Sequence, residues 1–407
     1  MTDSETIEAE VLIVGGGMVG LTLGCALAGA GIEVVVVDRA DPSAQVDAGF
    51  DGRSSAIAHG SKLALDRIGL WRGMAPDAEP IREIRVSDGD SPLFLHYDHR
   101  DLGDDPLGYM VENRHTRQAL FAAAASLENL QLIAPSSLQC LTRTANGAEA
   151  ELDDGRRIRA RLAIAADGRQ SIVRREAGIP VTAWTYDQTG IVCTVAHERP
   201  HRGIAQERFL AAGPFAILPL TGNRSSLVWT ERTDLAPEIM ALDDGGFHAE
   251  MARRFGNFLG DLELTGPRWS YPLALSHAAR YTDTRLALVG DAAHAMHPIA
   301  GQGLNLGLRD VAVLAEVLVD ARRLGLDIGG ADVLDRYARW RRVDTTVLLA
   351  VTDVLNRLFS NDIAPLRLAR DLGLAAVNQL PPLKRLLMRH AMGTVGDLPR
   401  LARGEPL

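Results

Sequence analysis

Residues 290 to 307, GDAAHAMHPIAGQGLNLG, set a carboxylate beside a glycine, then two histidines and a glycine-rich turn ahead of a helix-forming run. A carboxylate at a strand end can accept hydrogen bonds from sugar-type hydroxyls, and backbone N–H groups at a helix start attract anions and the polar edge of a ring. Far upstream, Gly15, Gly17 and Gly20 form G-x-G-x-x-G between an apolar run at 11–14 and an Ala- and Leu-rich run at 21–30. In such a strand, turn and helix, Gly15 permits the tight turn, Gly17 admits a pyrophosphate to the backbone, and Gly20 lets the helix approach the sheet. Asp38 ends the next apolar run, 34–37, where it can accept from a ribose 2′-OH and disfavours a 2′-phosphate. Two such segments suit one long cofactor, FAD, held from two sides.

The elements that must position these residues follow from the apolar runs. Residues 162–166 read as a strand running into Asp167-Gly168-Arg169-Gln170-Ser171, and 286–289 as another running into Gly290-Asp291. Asp167 can serve a cofactor hydroxyl or an arginine; its structural alternative is a strand-end turn cap. After Pro298, the run from Gly301 to Gly307 opens a long helix with Arg309 and Asp310 in its first turns. His294 and His297 have no Cys, Glu or third His nearby, so no metal site is expected and both read as positioning or packing residues.

Composition narrows the classes. The 407 residues allow two domains, 46% hydrophobic and 23% charged is ordinary globular protein, and a net charge of −9 argues against nucleic acid as a partner. Residues 11–32 carry no charge, but seven glycines between Glu10 and Glu33 argue against a membrane span, and no signal-peptide pattern precedes them. Cys25, Cys140 and Cys193 are scattered, which excludes a disulfide framework, reads each as a small buried hydrophobe, and points to a reducing compartment, the cytoplasm. Lys62 and Lys384 are the only lysines, so Schiff-base chemistry is poorly supplied.

Three motifs in order, GGGMVG with Asp38, AADGRQSIVR at 165–174 and LALVGDAAHAMHPIAGQGLNLGLRD at 286–310, resemble the class A flavoprotein monooxygenases, aromatic hydroxylases similar to para-hydroxybenzoate hydroxylase. Within that class, DGRSSAIAHGSKLALDRIGLW at 51–71, YMVENRHTRQAL at 109–120 and HPIAGQGLNLGLRD at 297–310 look like the ubiquinone-biosynthesis hydroxylase branch. The resemblance implies hydroxylation of a polyprenylated phenol with O2 through a flavin C4a-hydroperoxide, the cofactor carrying the difficult step. It places Gly15, Gly17, Gly20 and Asp38 on the ADP half of FAD and Arg53 near the pyrophosphate or flavin. Asn113 or Arg114 falls near the ribityl chain. Asp167 falls on FAD or NAD(P)H, Asp291 on ribityl hydroxyls, and Pro298 with Gly301, Gln302, Gly303, Leu304 and Asn305 along the isoalloxazine. No general base is singled out. The electron donor is NAD(P)H or a ferredoxin-type protein.

The expected fold is α/β: a Rossmann-like FAD-binding domain (1–175 and 276–360), an interposed α+β substrate domain with a mixed sheet (176–275), and a helical C-terminal tail (361–407). Strand-like pieces at 191–196, 215–220 and 226–230 would wall a pocket, with Phe209, Phe215, Leu218 and Trp229 as lining or as core. From Ile363 the tail carries seven Arg or Lys against three acids, and 383–389 could meet an anionic membrane surface on its inner face, or other biosynthetic proteins, or simply pack with a solvated face. The competing readings are another flavin reaction on this fold, of halogenase or prenyl-lipid reductase type, and a non-catalytic flavin-binding scaffold.

Overall fold

A computed structural model describes residues 6–47, 51–89, 91–360 and 364–407, except the side chains of 300, 364–369, 371 and 372. Along the chain run β1 (Thr6–Val14), α1 (Met18–Gly29), β2 (Val34–Val37), β3 (Ser54–Ala58), β4 (Glu83–Asp88), β5 (Phe94–Asp98), β6 (Gly108–Glu112), α2 (Asn113–Ala125), β7 (Leu130–Ile133) and β8 (Arg157–Ala165). There follow β9 (Val181–His197), β10 (Ile204–Leu210), β11 (Gly213–Leu220), β12 (Arg224–Arg232), α3 (Asp244–Phe255), β13 (Trp269–Ala278) and β14 (Leu286–Leu288). The chain closes with α4 (Gln302–Arg323), α5 (Ala331–Phe359), α6 (Ala364–Gln379) and α7 (Pro381–Ala391).

Strands β14, β8, β1, β2 and β7 lie side by side and parallel. Residues 11–14 and all of β2 are buried, as a parallel sheet covered on both faces requires. The uncharged stretch 11–32 is therefore strand, turn and helix inside this domain. No helix among the described residues is long and apolar enough to cross a membrane. Helix α1 crosses one face and packs on α4, whose buried row includes Leu308, Val311, Leu314 and Leu318. The glycine turn shows why those positions lack side chains. Gly15 sits at φ +110°, and a Cβ there would lie 2.3 Å from the Ala166 carbonyl oxygen. A Cβ on Gly20 would strike the Gly15 carbonyl, whereas one on Gly17 would meet nothing within 4 Å.

The second sheet runs β13, β9, β12, β11, β10, β4, β5, antiparallel except for the parallel β10–β4 pair. Here the structure differs from the expected division, because β4 and β5 come from within residues 1–175. Glu83 to Asp88 satisfy their backbone groups on Ile204 to Phe209, so the hairpin extends the second sheet. Alternation along β11 and β12 turns Phe215 and Trp229 towards Phe247 of α3, where they form core. Leu218 faces the other side. Phe209 packs instead on Phe359 of α5, with ring centroids 4.3 Å apart.

The tail is helical through α6 and α7 and then returns to the first domain, where Arg400 pairs with Glu316 and Asp320 on α4. Its expected beginning, 361–363, lies outside the described residues. Cys25 and Cys193 are buried, and burial pushes both thiols up to about 12. Cys140 differs: it is exposed, on an outward position of the hairpin strand Leu138–Thr144.

Candidate active site between two helix N-termini

A cavity of about 470 Å³ lies between the two sheets. Helices α1 and α4 both begin at it. Gly17 caps α1 and Gly301 caps α4, neither with a side-chain hydrogen bond, so first-turn N–H groups of both helices lack that partner. Gly301 reaches this position in a left-handed conformation, φ +62°, and a Cβ there would crowd Ala56. Asp291 lines the same space, exposed, with no hydrogen-bond partner among the described residues. Two uncapped helix starts, an unengaged carboxylate and a glycine opening on empty space form a cradle for an elongated group with phosphates at one end and hydroxyls in the middle. FAD fits that donor and acceptor set.

The residues expected at the site divide into two groups. Gly17, Arg53, Asn113, Asp291, Pro298, Gly301, Gln302, Gly303, Leu304 and Asn305 line the cavity, whereas Gly15, Gly20, Asp38, Arg114 and Asp167 do not. Asp38 closes the first turn: its Oδ2 accepts from Gly16 N at 2.6 Å and its Oδ1 from Ala40 N at 2.7 Å. Arg114 pairs with Glu112 at 3.4 Å. Asp167 Oδ2 accepts from Ile172 N at 2.8 Å and Val173 N at 3.3 Å, adding to the Ser171 N-cap at the start of the short helix Ile172–Glu176, while its buried Oδ1 finds no partner among the described residues. That is the turn-cap alternative; the neighbouring Gly168 and Arg169 are what reach the cavity.

Asn305 lines the cavity and uses its side chain as a latch. Its Oδ1 accepts from Ala58 N at 2.8 Å and its Nδ2 donates to Ala56 O at 2.7 Å, fixing β3 to the start of α4. Arg53 and Asn113 belong to a cluster that joins the two distant segments 51–71 and 109–120. Buried Asp51 accepts from Arg53 Nε at 2.8 Å, Arg117 Nη2 at 2.6 Å and Asn113 Nδ2 at 3.2 Å. Burial alone would raise the Asp51 carboxyl, but the Arg53 hydrogen bonds and charge, with Arg117, hold it well below the usual carboxylate range. Half of the Arg53 side chain stays exposed, over the Tyr271 ring.

Beneath Asp291 lies a second buried network. Asp310 is 0% exposed and accepts from Gly290 N at 2.9 Å, His294 Nε2 at 2.7 Å and Arg341 Nε at 2.7 Å. Burial pushes its carboxyl up, and the facing His294 and Arg341 more than offset this, leaving it below the ordinary value. The network fixes the 290–291 turn and so the direction in which Asp291 points. Arg174 ties the middle motif to the same loop by donating to Ala292 O at 2.8 Å. His297 is fully buried against Tyr186, and neither ring nitrogen finds a partner among the described residues. Its pKa is lowered to about 4 by burial. The sequence reading missed Asp51, Arg117, Arg174 and Arg341; Asp51 and Arg117 stand inside the quoted 51–71 and 109–120 segments, the nearest signal available.

On the far side, Ile81, Ile84, Leu107, Leu218 and Val228 make an apolar wall facing the cradle. An elongated cofactor laid along the two helix starts would thus present its ring to a water-poor chamber.

Comparison with known proteins agrees with this geometry. A family model described as the FAD binding domain matches residues 8–349. Ubiquinone hydroxylase UbiL of Rhodospirillum rubrum is 57% identical over 100% of this chain and 95% of its own length. The 3-demethoxyubiquinol 3-hydroxylase of Escherichia coli is 38% identical over 97% of this chain and all of its own. Among solved structures, p-nitrophenol 4-monooxygenase PnpA of Pseudomonas putida superimposes with a TM-score of 0.80 over 95% of this chain and 98% of that one, at 21% identity, which shows the shared fold. The chain belongs to the FAD-binding class A flavoprotein monooxygenases and, within them, to the ubiquinone hydroxylases.

Proposed function

We propose that this chain hydroxylates the aromatic ring of a polyprenylated phenol in ubiquinone biosynthesis, using FAD, O2 and electrons from NAD(P)H or a ferredoxin-type donor. The observation that carries the reading is the single cavity joining two uncapped helix starts and Asp291 to an apolar wall, in a chain 57% identical to a ubiquinone hydroxylase. FAD, when bound, supplies O2 activation and oxygen transfer. One oxygen atom enters the ring as a hydroxyl, and the other leaves as water with two electrons and two protons from the donor.

The protein's work is positional. Asp291 would accept from ribityl hydroxyls, the N–H groups opening α4 would hold the polar edge of the ring, and Asp310 holds the turn that carries Asp291. Arg53, steadied by Asp51, presents its free guanidinium face where a phosphate or flavin oxygen would lie. Ile81, Leu107 and Leu218 exclude water and orient the substrate ring. The cavity wall carries no lysine: Lys62 pairs with Asp66 and Lys384 with Asp101.

The test supplies purified, FAD-loaded protein with NADH, NADPH or reduced ferredoxin, each with and without a short-tailed prenylphenol. One donor should be oxidised at least tenfold faster when the phenol is present. Bound flavin with no phenol-stimulated oxidation by any donor would transfer support to the scaffold or to another flavin reaction.

A further inference from the structure

Helix α7 has two faces with different tasks. Its inner face is part of the chamber: Met388 and Met392 pack with Ile81, Leu107 and Ala205, and Ala391 lines the cavity itself. Lys384 anchors the helix to Asp101 at 2.6 Å. The outer face carries Leu383, Leu386 and Leu387, which are 36 to 47% exposed, beneath Leu380 at 52%. Arg385, Arg389 and His390 share that surface, and neither arginine has a carboxylate partner among the described residues. From 372 to 396 the sequence contains no Asp or Glu, on a chain whose net charge is −9. Exposed leucines interleaved with unpaired cations are the pattern of a helix lying in an interface, apolar side chains among acyl chains and cations at anionic headgroups. The long exposed row on α5, Val343, Val347, Val351 and Val354, has Arg339 and Arg342 at one end but also the carboxylates Asp344 and Asp353 along it, whereas the α7 surface has cations alone.

We propose that the outer face of α7 docks on an anionic lipid bilayer, setting a helix that lines the chamber through Ala391 against the membrane. The proposal rests on the prenylated-substrate reading: a phenol with a long apolar tail would reach the chamber past α7 without crossing water. The recognition elements are the leucines for the acyl region and Arg385 with Arg389 for headgroup phosphates.

Sedimentation of the full-length, FAD-loaded protein with phosphatidylcholine vesicles, and with vesicles containing phosphatidylglycerol, tests it. Binding should require the anionic lipid and fall as salt rises. Arg385→Glu with Arg389→Glu should weaken it at least about 25-fold, roughly fivefold for each cation removed. Leu383→Glu with Leu386→Glu should abolish it, while flavin loading and turnover of a short-tailed phenol in solution stay as in the wild type. Val347→Glu with Val351→Glu on α5 is the control that should bind normally. Equal binding to neutral vesicles, unchanged binding by both α7 variants, or loss only in the α5 variant would overturn the proposal. So would an α7 surface that instead holds two copies together, seen as a dimer dissociated by the same substitutions. Because vesicle binding needs no substrate, its failure alongside intact short-tail turnover refutes the surface alone. Intact binding without turnover supports the surface and counts against the hydroxylase reading.

Discussion

Replacing Asp310 with Asn changes one atom at the buried centre of the site and removes the network's only carboxylate with three separate donors on it. Gly290 N, His294 Nε2 and Arg341 Nε all point at Asp310, from 2.7 to 2.9 Å. Asparagine offers one acceptor oxygen and a donor group, so at least one of the three donors would face another donor. Arg341, 2% exposed, would be left with Asp344 as its carboxylate partner. Removing one partner of a buried ion pair costs about 3–5 kcal/mol. For 407 residues unfolding together this lowers Tm by about 3–6 °C. The Gly290 turn would also lose its tether, and with it the direction of Asp291, so FAD affinity should fall about tenfold or more. Thermal unfolding followed by tryptophan fluorescence, with and without FAD, reads the first effect, and titration of flavin fluorescence reads the second. Partial recovery in Asp310→Glu would separate positioning from bulk. A D310N protein with Tm within 1 °C and an unchanged FAD Kd would refute the network's role.

Other substitutions separate the site's parts. Asp291→Ala removes an exposed carboxylate with no hydrogen-bond partner among the described residues, so stability without FAD should move by less than about 0.5 kcal/mol, while the loss of two charged hydrogen bonds, about 1.5–3 kcal/mol each, should weaken FAD binding a hundredfold or more. Equal destabilisation of the FAD-free protein would show Asp291 to be structural. Asp167→Ala should do the reverse, costing about 0.5–2 kcal/mol through the lost cap with FAD affinity unchanged; a tenfold weaker Kd would return Asp167 to the cofactor site. His297 is held neutral by burial, with its pKa at about 4. The unfolded chain therefore binds the extra proton first as pH falls below about 6.5, and stability is lost from there down towards pH 4, on the order of 1 kcal/mol by pH 5.5. Urea unfolding across that range should show a shallower pH slope in His297→Phe than in the wild type, and parallel slopes would remove His297 from the acid response.

The parallel sheet and both helix starts were legible because their constraints are local. Continuous apolar runs at 11–14 and 34–37 can only be buried strands beside a glycine turn, and Gly15 with Gly20 register backbone contacts within that turn. The cavity side of Gly301–Asn305 followed from the same logic. What the sequence concealed is what long-range packing decides. Asp51 meets Arg117 across 66 positions, and Asp310 reaches back 20 to Gly290, with no spacing rule to announce either contact. Phe215 and Trp229 have pocket-like chemistry, but the two-residue period of β11 and β12 turns them to α3. The hairpin β4–β5 has ordinary strand composition, and its sheet was settled by the open edge of β10. Asp167 shows the converse: a carboxylate in a cofactor-like motif also suits a helix start, where its Oδ2 accepts from Ile172 and Val173 while its Oδ1 has no partner among the described residues.

The most direct measurement is the fate of molecular oxygen. The FAD-loaded protein, an electron donor and a prenylated phenol under ¹⁸O2 should yield a phenol carrying one additional oxygen atom, labelled from O2, on an aromatic carbon. Incorporation from water, an unlabelled product, or consumption of the donor with the phenol recovered unchanged would contradict the hydroxylase account.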